Sequence, residues 1–232
     1  MAEEPRRRDA ARSRQAILDA AERLFAEGGY DAVTLQAVGA AAGVSRGTPG
    51  YFFGSKERLY RAVLDRASGE LDALADRLAA AVREDGGIDA ALERTVREYM
   101  DFVATRRQLV HLLERESVDG SPLTGRAPQV AVVAAALEPL SGDLARANGA
   151  AAQPAQLALS LATLCWGAVA QGPLAARAAG LDADDPAFIE ARKRHVVALA
   201  LGAVGGGAPA AQAEPAASGP GGKGKKKRKK KG

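Results

Sequence analysis

The chain has 232 residues, enough for one or two domains with a sizeable apolar core. One cysteine excludes an internal disulfide bond, and abundant alanine with only 4% aromatic residues favours an all-α fold. The net charge is +4, but residues 205–232 carry eight basic residues and one acid, a balance of +7 that leaves −3 on residues 1–204. Residues 1–204 are therefore not basic as a whole, and their basic residues cluster near the N-terminus, at Arg6, Arg7, Arg8, Arg12 and Arg14.

The first predicted helix is an amphipathic segment that ends at a pair of glycines. Gly28 and Gly29 are typical of a helix C-terminus, where a residue without a side chain allows the chain to turn away. Residues 1–10 are predicted to be a disordered arm, and residues 11–55 a three-helix unit. The apolar positions recur at helical spacing, namely Ile17, Leu18, Ala21, Leu24 and Phe25.

Two short helical patterns follow, separated by a turn at Gly43. Thr34 and Ser45 are the predicted N-caps, because a hydroxyl oxygen accepts hydrogen bonds from the free N–H groups of a first helical turn. This arrangement is typical of a helix-turn-helix, whose second helix enters the major groove of DNA. An ordinary helical hairpin has the same pattern, so the pattern alone leaves both interpretations open.

A second, helical domain is predicted over residues 56–204. Residues 205–232, the C-terminal tail, hold Gly, Ala, Pro and Lys and are predicted to be disordered, because they lack apolar area to bury. The predicted helices of the second domain cover residues 56–83, 88–104, 107–117, 127–147 with a bend near Pro139, and 186–204. A further long apolar helix is predicted to begin at Pro154 and to run through Trp166, with a kink at Gly172-Pro173.

Several short motifs follow one another in the first 65 residues. They read Ile17-Leu18-Asp19-Ala20-Ala21, then Leu24-Phe25-Ala26-Glu27-Gly28-Gly29-Tyr30, Ala42-Gly43-Val44-Ser45-Arg46-Gly47-Thr48 and Phe53-Gly54-Ser55-Lys56-Glu57-Arg58-Leu59. Their order and spacing resembles the N-terminal domain of the tetracycline-repressor (TetR) family of bacterial transcriptional regulators. One departure is clear: the family pattern Leu-Tyr-x-Tyr-Phe is here Pro49-Gly50-Tyr51-Phe52-Phe53. Tyr51 is the expected substitute for the tyrosine that Gly50 replaces.

The resemblance implies a homodimeric transcriptional regulator, a repressor that a small apolar effector releases from a palindromic DNA operator. Thr34 and Ser45 are also helix caps, and Tyr51 could instead pack the domain. The sequence identifies neither the effector nor the operator. The expected DNA-binding residues are Thr34, Ser45, Arg46, Gly47, Thr48, Tyr51 and Lys56.

Candidate effector contacts are the aromatic, sulfur-containing and polar residues of the second domain. The same residue types also line an ordinary core, and each alone fits a core better than a pocket. They are Tyr99, Met100, Phe102, His111, Cys165, Trp166 and Gln171. The helices that begin near Pro154 and Pro186 are expected to form a four-helix bundle with a second copy. The expected interface residues are Leu161, Val196, Val197 and Leu201.

No catalytic or metal-binding constellation is recognisable. His111 and His195 lack metal-ligand spacing with Cys165, so we expect no metal, no cofactor and no enzymatic activity. The N-terminus lacks the apolar core of a signal peptide and no membrane span is expected, which predicts a cytoplasmic protein. An alternative function is a nucleoid-type architectural protein that binds DNA through the lysine run at residues 225–231.

Deletion of residues 205–232 tests what the C-terminal tail adds. Eight cations near DNA release counterions, and each phosphate neutralised adds about 0.9 to the logarithmic salt slope. Deletion should weaken binding to all DNA sequences alike at low salt and flatten that slope, while the ratio of operator to random-DNA affinity is retained. Binding isotherms across a salt series measure both. Loss of sequence discrimination would instead support the architectural alternative.

Overall fold

The computed structural model describes residues 3–119, 127–147, 153–183 and 185–205, and the regular structure in these ranges is helical. The all-α prediction is therefore confirmed. A short 3₁₀ helix, Glu138–Leu140, joins the seventh helix to the eighth. The α-helices are α1 Glu3–Ala32, α2 Leu35–Ala41, α3 Thr48–Phe53, α4 Lys56–Glu84, α5 Ile88–Thr105, α6 Arg107–Asp119, α7 Pro128–Leu137, α8 Ser141–Ala147, α9 Pro154–Ala170, α10 Gly172–Ala178 and α11 Ala187–Gly205.

Helix α1 begins much earlier than predicted. Residues 3–10 belong to this helix, so the disordered arm predicted for residues 1–10 is wrong over the part that the structure describes. The physical reason is local: Pro5 is tolerated in a first helical turn, and the alanines and arginines that follow it are strong helix formers. The predicted glycine break is confirmed, because Gly29 is non-helical, with φ 78° and ψ 172°.

Helices α2 and α3 are joined by the predicted glycine turn. The Ala37 amide donates a hydrogen bond to Thr34 Oγ1 at 3.1 Å, which confirms Thr34 as the N-cap of α2. The prediction that Ser45 caps α3 is wrong, because that helix starts three residues later and has Gly47 as its N-cap. Ser45 Oγ instead lies 2.6 Å from Thr48 Oγ1. Gly43 has φ 68°, in the left-handed region that favours glycine.

The later helices keep the predicted breaks. A 3₁₀ turn occupies the site of Pro139, and α9 and α10 meet at an angle of 92° beside Gly172. No single helix in the described ranges is long and apolar enough to cross a membrane. Only the bent pair α9 and α10 meets that test, by length and composition, and the apolar residues of α9 largely pack into the protein core. The predicted disorder of residues 205–232 concerns residues outside the described ranges, except Gly205 at the end of α11.

Helix α4 connects the N-terminal helices to the rest of the molecule. Ser55 caps it, accepting a hydrogen bond from the Arg58 amide at 3.2 Å. Its buried residues continue from the first turn to the last, and it packs along α1, α5 and α7. These residues belong to one cluster of buried side chains that reaches from Ile17 to Val204. The division of the chain near residue 56 stays a prediction, since the core has no gap there.

A buried carboxylate holds three parts of this assembly together. Glu22 of α1 is 3% exposed and lies 2.5 Å from Arg66 Nη2 of α4. It also lies 3.2 Å from Arg106, between α5 and α6. The two arginines have further carboxylate partners in Asp19 and Glu70, at 2.6 and 2.7 Å. Removal of Glu22 would therefore leave each of these two partly buried cations with one of its two carboxylate partners.

Replacement of Glu22 tests this cluster. Breaking a buried ion pair from one side costs roughly 3–5 kcal/mol, and the lower end, about 3 kcal/mol, is expected for Glu22→Ala because both arginines keep a second partner. Asp19→Ala is the matched control, since its side chain is 61% exposed and such pairs contribute about 1 kcal/mol or less. Urea unfolding measures both variants. Equal losses of stability would contradict the stabilising role given to Glu22.

Candidate functional site

The turn before α3, and α3 itself, present an exposed polar surface. Thr34, Ser45, Arg46 and Gly47 are exposed, and Thr48 is half-buried at the start of α3. Pro49 and Phe53 form the buried face of this short helix, one turn apart. Among the predicted DNA-binding residues, Thr34 and the residues from Ser45 to Thr48 therefore lie at or near the surface.

Tyr51 is the most exposed large side chain of this surface, at 86%. Its ring meets Phe52 edge-on, with 5.5 Å between centroids, and its hydroxyl is left at the surface. The neighbouring Gly50 is not required by packing, because an added Cβ would be 4.0 Å from its nearest neighbour, the Leu35 side chain. Exposure of this size argues against a packing role for Tyr51 and leaves it free to contact a ligand.

Close packing behind this surface holds α2 against the turn. A Cβ on Gly39 of α2 would be 3.1 Å from the Ser45 carbonyl oxygen and 3.4 Å from Pro49 Cδ. Glycine at position 39 therefore allows α2 to approach the turn that carries Arg46. On the other side, the Arg14 guanidinium lies 5.1 Å from the centre of the Phe53 ring, which places the basic half of α1 beside α3.

The Lys56 side chain contacts the end of α1. Its ammonium donates hydrogen bonds to the carbonyls of Tyr30 and Asp31, at 3.1 and 3.4 Å, and lies 4.2 Å from the centre of the Tyr30 ring. It thus satisfies carbonyl groups at the end of α1. Tyr30 in turn contacts Phe25 and Tyr60, so Lys56 adjoins a small aromatic cluster.

Comparison with known proteins shows a family similarity in this region. Residues 17–63 match the family described as "Bacterial regulatory proteins, tetR family". Over these residues the chain is similar to members of the tetR family. The match ends within the first turns of α4, so it includes the helix-turn-helix surface and excludes most of the second domain.

Characterised relatives match the same end of the chain. An HTH-type transcriptional repressor AcnR from Corynebacterium efficiens is 39% identical over 77 residues, which are 33% of this chain and 37% of that protein. The HTH-type transcriptional repressor Rv1474c from Mycobacterium tuberculosis is 35% identical over 108 residues, 46% of this chain and 54% of that protein. The matched segments therefore span between about a third and half of these relatives.

Solved structures share the fold over most of the chain. A TetR family regulator from Marinobacter aquaeolei has a TM-score of 0.60 at 20% identity, covering 83% of this chain and 97% of that one. FadR from Bacillus subtilis, solved in complex with stearoyl-CoA, has a TM-score of 0.58 at 14% identity, covering 82% and 98%. The helical fold of this chain is thus a known one.

The seven candidate effector contacts do not line one cavity. Phe102 is half-buried against the core, His111 is exposed in a cleft of about 570 Å³ between α6 and the end of α1, and Gln171 is exposed at the α9–α10 corner. The other four pack in the interior, where Tyr99 donates a hydrogen bond to the Gln129 carbonyl at 2.8 Å. These four are Tyr99, Met100, Cys165 and Trp166.

Burial also sets the chemistry of the two titratable residues in that interior group. It raises the pKa of the Cys165 thiol to about 12, so the thiol is neutral and unreactive at ordinary pH. Burial likewise raises the pKa of Tyr99 well above its ordinary value, and the nearby Cys165 adds to the effect. Neither residue is a base or a nucleophile here. Among the described residues, no group of three or more His, Cys, Asp or Glu side chains could hold a metal ion.

A surface groove runs between α9 and α11. One cleft of about 360 Å³ contains Gln156, Ser160 and Leu199, and a second of about 380 Å³ contains Gly167 and Arg192. Leu164 lines both clefts, so they form one groove between two antiparallel helices.

The predicted dimer residues lie mainly beneath this groove. Val196 and Val197 are buried within one protomer, and Leu161 is buried on the groove floor. Leu201 is half-buried and does not line either cleft. The exposed large apolar residue of α11 is Leu199, at 47%, which is not one of the four expected interface residues.

Two further residues were missed because their role needs the tertiary structure. The sequence suggested that Glu114 and Glu116 of α6 are solvated, since they lie on different helix faces. Trp166 Nε1 instead donates a hydrogen bond to Glu114, and the Tyr60 hydroxyl donates one to Glu116, which is 3% exposed. No signal in the sequence marks either carboxylate as a hydrogen-bond acceptor, because both partners lie more than 50 residues away.

Proposed function

We propose that this protein is a homodimeric, sequence-specific DNA-binding regulator of transcription, a repressor that a small apolar effector releases from its operator. The observation that carries the proposal is the helix-turn-helix surface of the tetR-family domain. There Arg46 and Tyr51 are exposed on a turn and a helix that close packing at Gly39 holds in place.

The chemistry of this surface suits double-stranded DNA. Thr34 and Thr48 offer hydroxyls at helix starts, which suit phosphate oxygens, while Arg46 offers the planar donor set that pairs with guanine. The exposed arginines Arg8, Arg12 and Arg14 lie in the N-terminal half of α1, and Arg14 lies over Phe53 of α3; their charges add attraction to phosphates. The AcnR relatives are named repressors, which supports repression rather than activation.

Dimerisation through α9 and α11 explains the groove. Two antiparallel helices with small and apolar residues along an open groove can form a four-helix bundle with the same pair from a second copy. An ion pair joins α11 to α5, because Lys193 Nζ of α11 lies 2.5 Å from Asp101 Oδ1 of α5. Two recognition helices in such a dimer would meet successive major grooves, about 34–36 Å apart, on a palindromic operator.

An effector would have to open the second domain. The cleft beside Tyr99, between α6 and the start of α7, has a volume of about 140 Å³, below the roughly 300 Å³ that small-molecule pockets usually have. Binding there requires α6 and α7 to separate, so an effector favours an arrangement other than the one described. FadR from Bacillus subtilis, which has the same fold, was solved in complex with stearoyl-CoA, and this supports an effector with an apolar part.

Arg46→Ala tests base reading. Loss of a bidentate base contact should weaken operator binding by about 1–3 kcal/mol and relax the preference at one base position. Operators selected from random duplexes, and their single-base variants, supply the affinities. Arg146→Ala is the matched control, because that side chain is 78% exposed on α8 in the second domain. An unchanged preference profile for Arg46→Ala would remove this residue from the base-reading set.

Leu199→Glu tests the dimer. A charge buried against an apolar partner surface is strongly unfavourable, so this variant should sediment as a monomer and lose operator binding. Ala198→Glu is the matched control, because Ala198 is exposed on the same helix about 100° around its axis, outside the groove. A Leu199→Glu dimer of normal stability would place the interface elsewhere.

The architectural alternative predicts a different footprint. A protein that holds DNA through its lysine run protects DNA without sequence choice, whereas the regulator protects a discrete palindrome. Nuclease footprinting on the DNA beside the protein's own gene separates the two. Diffuse protection that Arg46→Ala leaves unchanged would favour the architectural function.

A further inference from the structure

Gly50 leaves a gap beside the exposed face of α3. Pro49 and Phe53 form the buried face of this helix, and Tyr51 points away from it, at 86% exposed. Successive side chains leave an α-helix about 100° apart, so position 50 lies on the flank between the buried face and Tyr51. A Cβ added to Gly50 would have Leu35 Cδ1 of α2 as its neighbour, at 4.0 Å. This flank of α3 therefore faces the start of α2 and carries no side chain.

The fold does not require a glycine at position 50. Gly43 and Gly54 have φ values of 68° and 79°, which favour glycine, whereas Gly50 lies inside the helix that runs from Thr48 to Phe53. Glycine is a poorer helix former than every residue except proline. Alanine at position 50 would thus fit the backbone and the space around it, and the gap is open to a group from outside the chain.

The gap bounded by Leu35, Gly50 and Tyr51, which we call the notch, has an apolar floor. Leu35 is half-buried, so part of its side chain remains open to solvent beside Gly50. An aliphatic side chain offers no hydrogen bond, and a phosphate or a polar base edge placed against it would lose its bonds to water without replacement. The notch therefore suits a small apolar group.

The base edges of the DNA major groove present one kind of apolar group, the C5 methyl group of thymine. The notch adjoins Tyr51 on the surface that carries Arg46, which is the surface proposed above to enter that groove. A thymine is thus the base whose edge matches the notch.

We propose that Gly50 is a specificity-determining residue, and that the notch receives the C5 methyl group of one thymine in each operator half-site. The proposal rests on the DNA-binding function proposed above and names a base that this part of α3 selects. Glycine admits the methyl group because no Cβ stands between Leu35 and the base edge. A methyl group on residue 50 would take the same space.

Deoxyuridine in place of thymidine removes this methyl group and leaves the rest of the duplex unchanged. An operator selected from random duplexes is remade with each thymine of one half-site replaced in turn, and its binding to the full-length protein is measured. One replacement should weaken binding roughly fourfold, the size expected for one methyl group taken out of water. Where cytosine in place of that thymine weakens binding, 5-methylcytosine should recover part of the loss.

Gly50→Ala places a methyl group of the protein in the notch. This variant should bind the thymine operator more weakly, and deoxyuridine at the sensitive position should no longer weaken its binding. Gly69→Ala is the matched control, because Gly69 is exposed on α4 and a Cβ added there also meets no atom within 4 Å. Neither variant should lose stability in thermal unfolding, and Gly69→Ala should keep the fourfold effect.

Two results would overturn the notch: an operator in which no thymine shows the effect, and a Gly50→Ala variant that keeps the effect in full. An equal loss of affinity for all DNA sequences in Gly50→Ala would also overturn it, because that loss would place a phosphate rather than a base at Gly50. A protein that selects no DNA sequence at all would instead overturn the proposed function, so the two failures are distinguishable.

Discussion

The buried carboxylate of Glu22 is the constraint on which the arrangement of the two parts depends. It lies between Arg66 of α4 and Arg106 at the α5–α6 corner, and so ties α1 to both. Charged groups taken out of water are stable only when paired, which restricts α1 to one position against α4. The helix-turn-helix is packed on α1, and its direction relative to the second domain follows from that position.

Apolar packing holds the other helices together, and hydrogen bonds from α6 add to it. Helix α4 buries residues along its whole length. Helix α6 contacts α4 at Tyr60, and it contacts α1 at the carbonyls of Ala26 and Glu27. These hydrogen bonds join α6 to both α1 and α4.

The candidate DNA surface was largely readable from the sequence, since cap residues, glycine turns and their spacing are local features. Thr34 caps α2 as predicted, and the break at Gly29 is where the glycine pair placed it. Ser45 was misplaced as a cap because the chain forms a turn from Ser45 to Thr48 before α3 begins, with Gly47 as the N-cap and Pro49 in the first helical turn.

The sequence by itself determined that the chain is all-α, where most helices begin and end, and that its first 65 residues resemble the tetR family. These features depend on helix propensity, capping and apolar spacing, which act over a few residues. Only the tertiary structure decided that Glu116 is buried, that Lys56 binds carbonyls of α1 and that Leu199 rather than Val197 faces outward. Those outcomes depend on partners dozens of residues away, and on which side of a uniformly apolar helix such as α11 meets its neighbours.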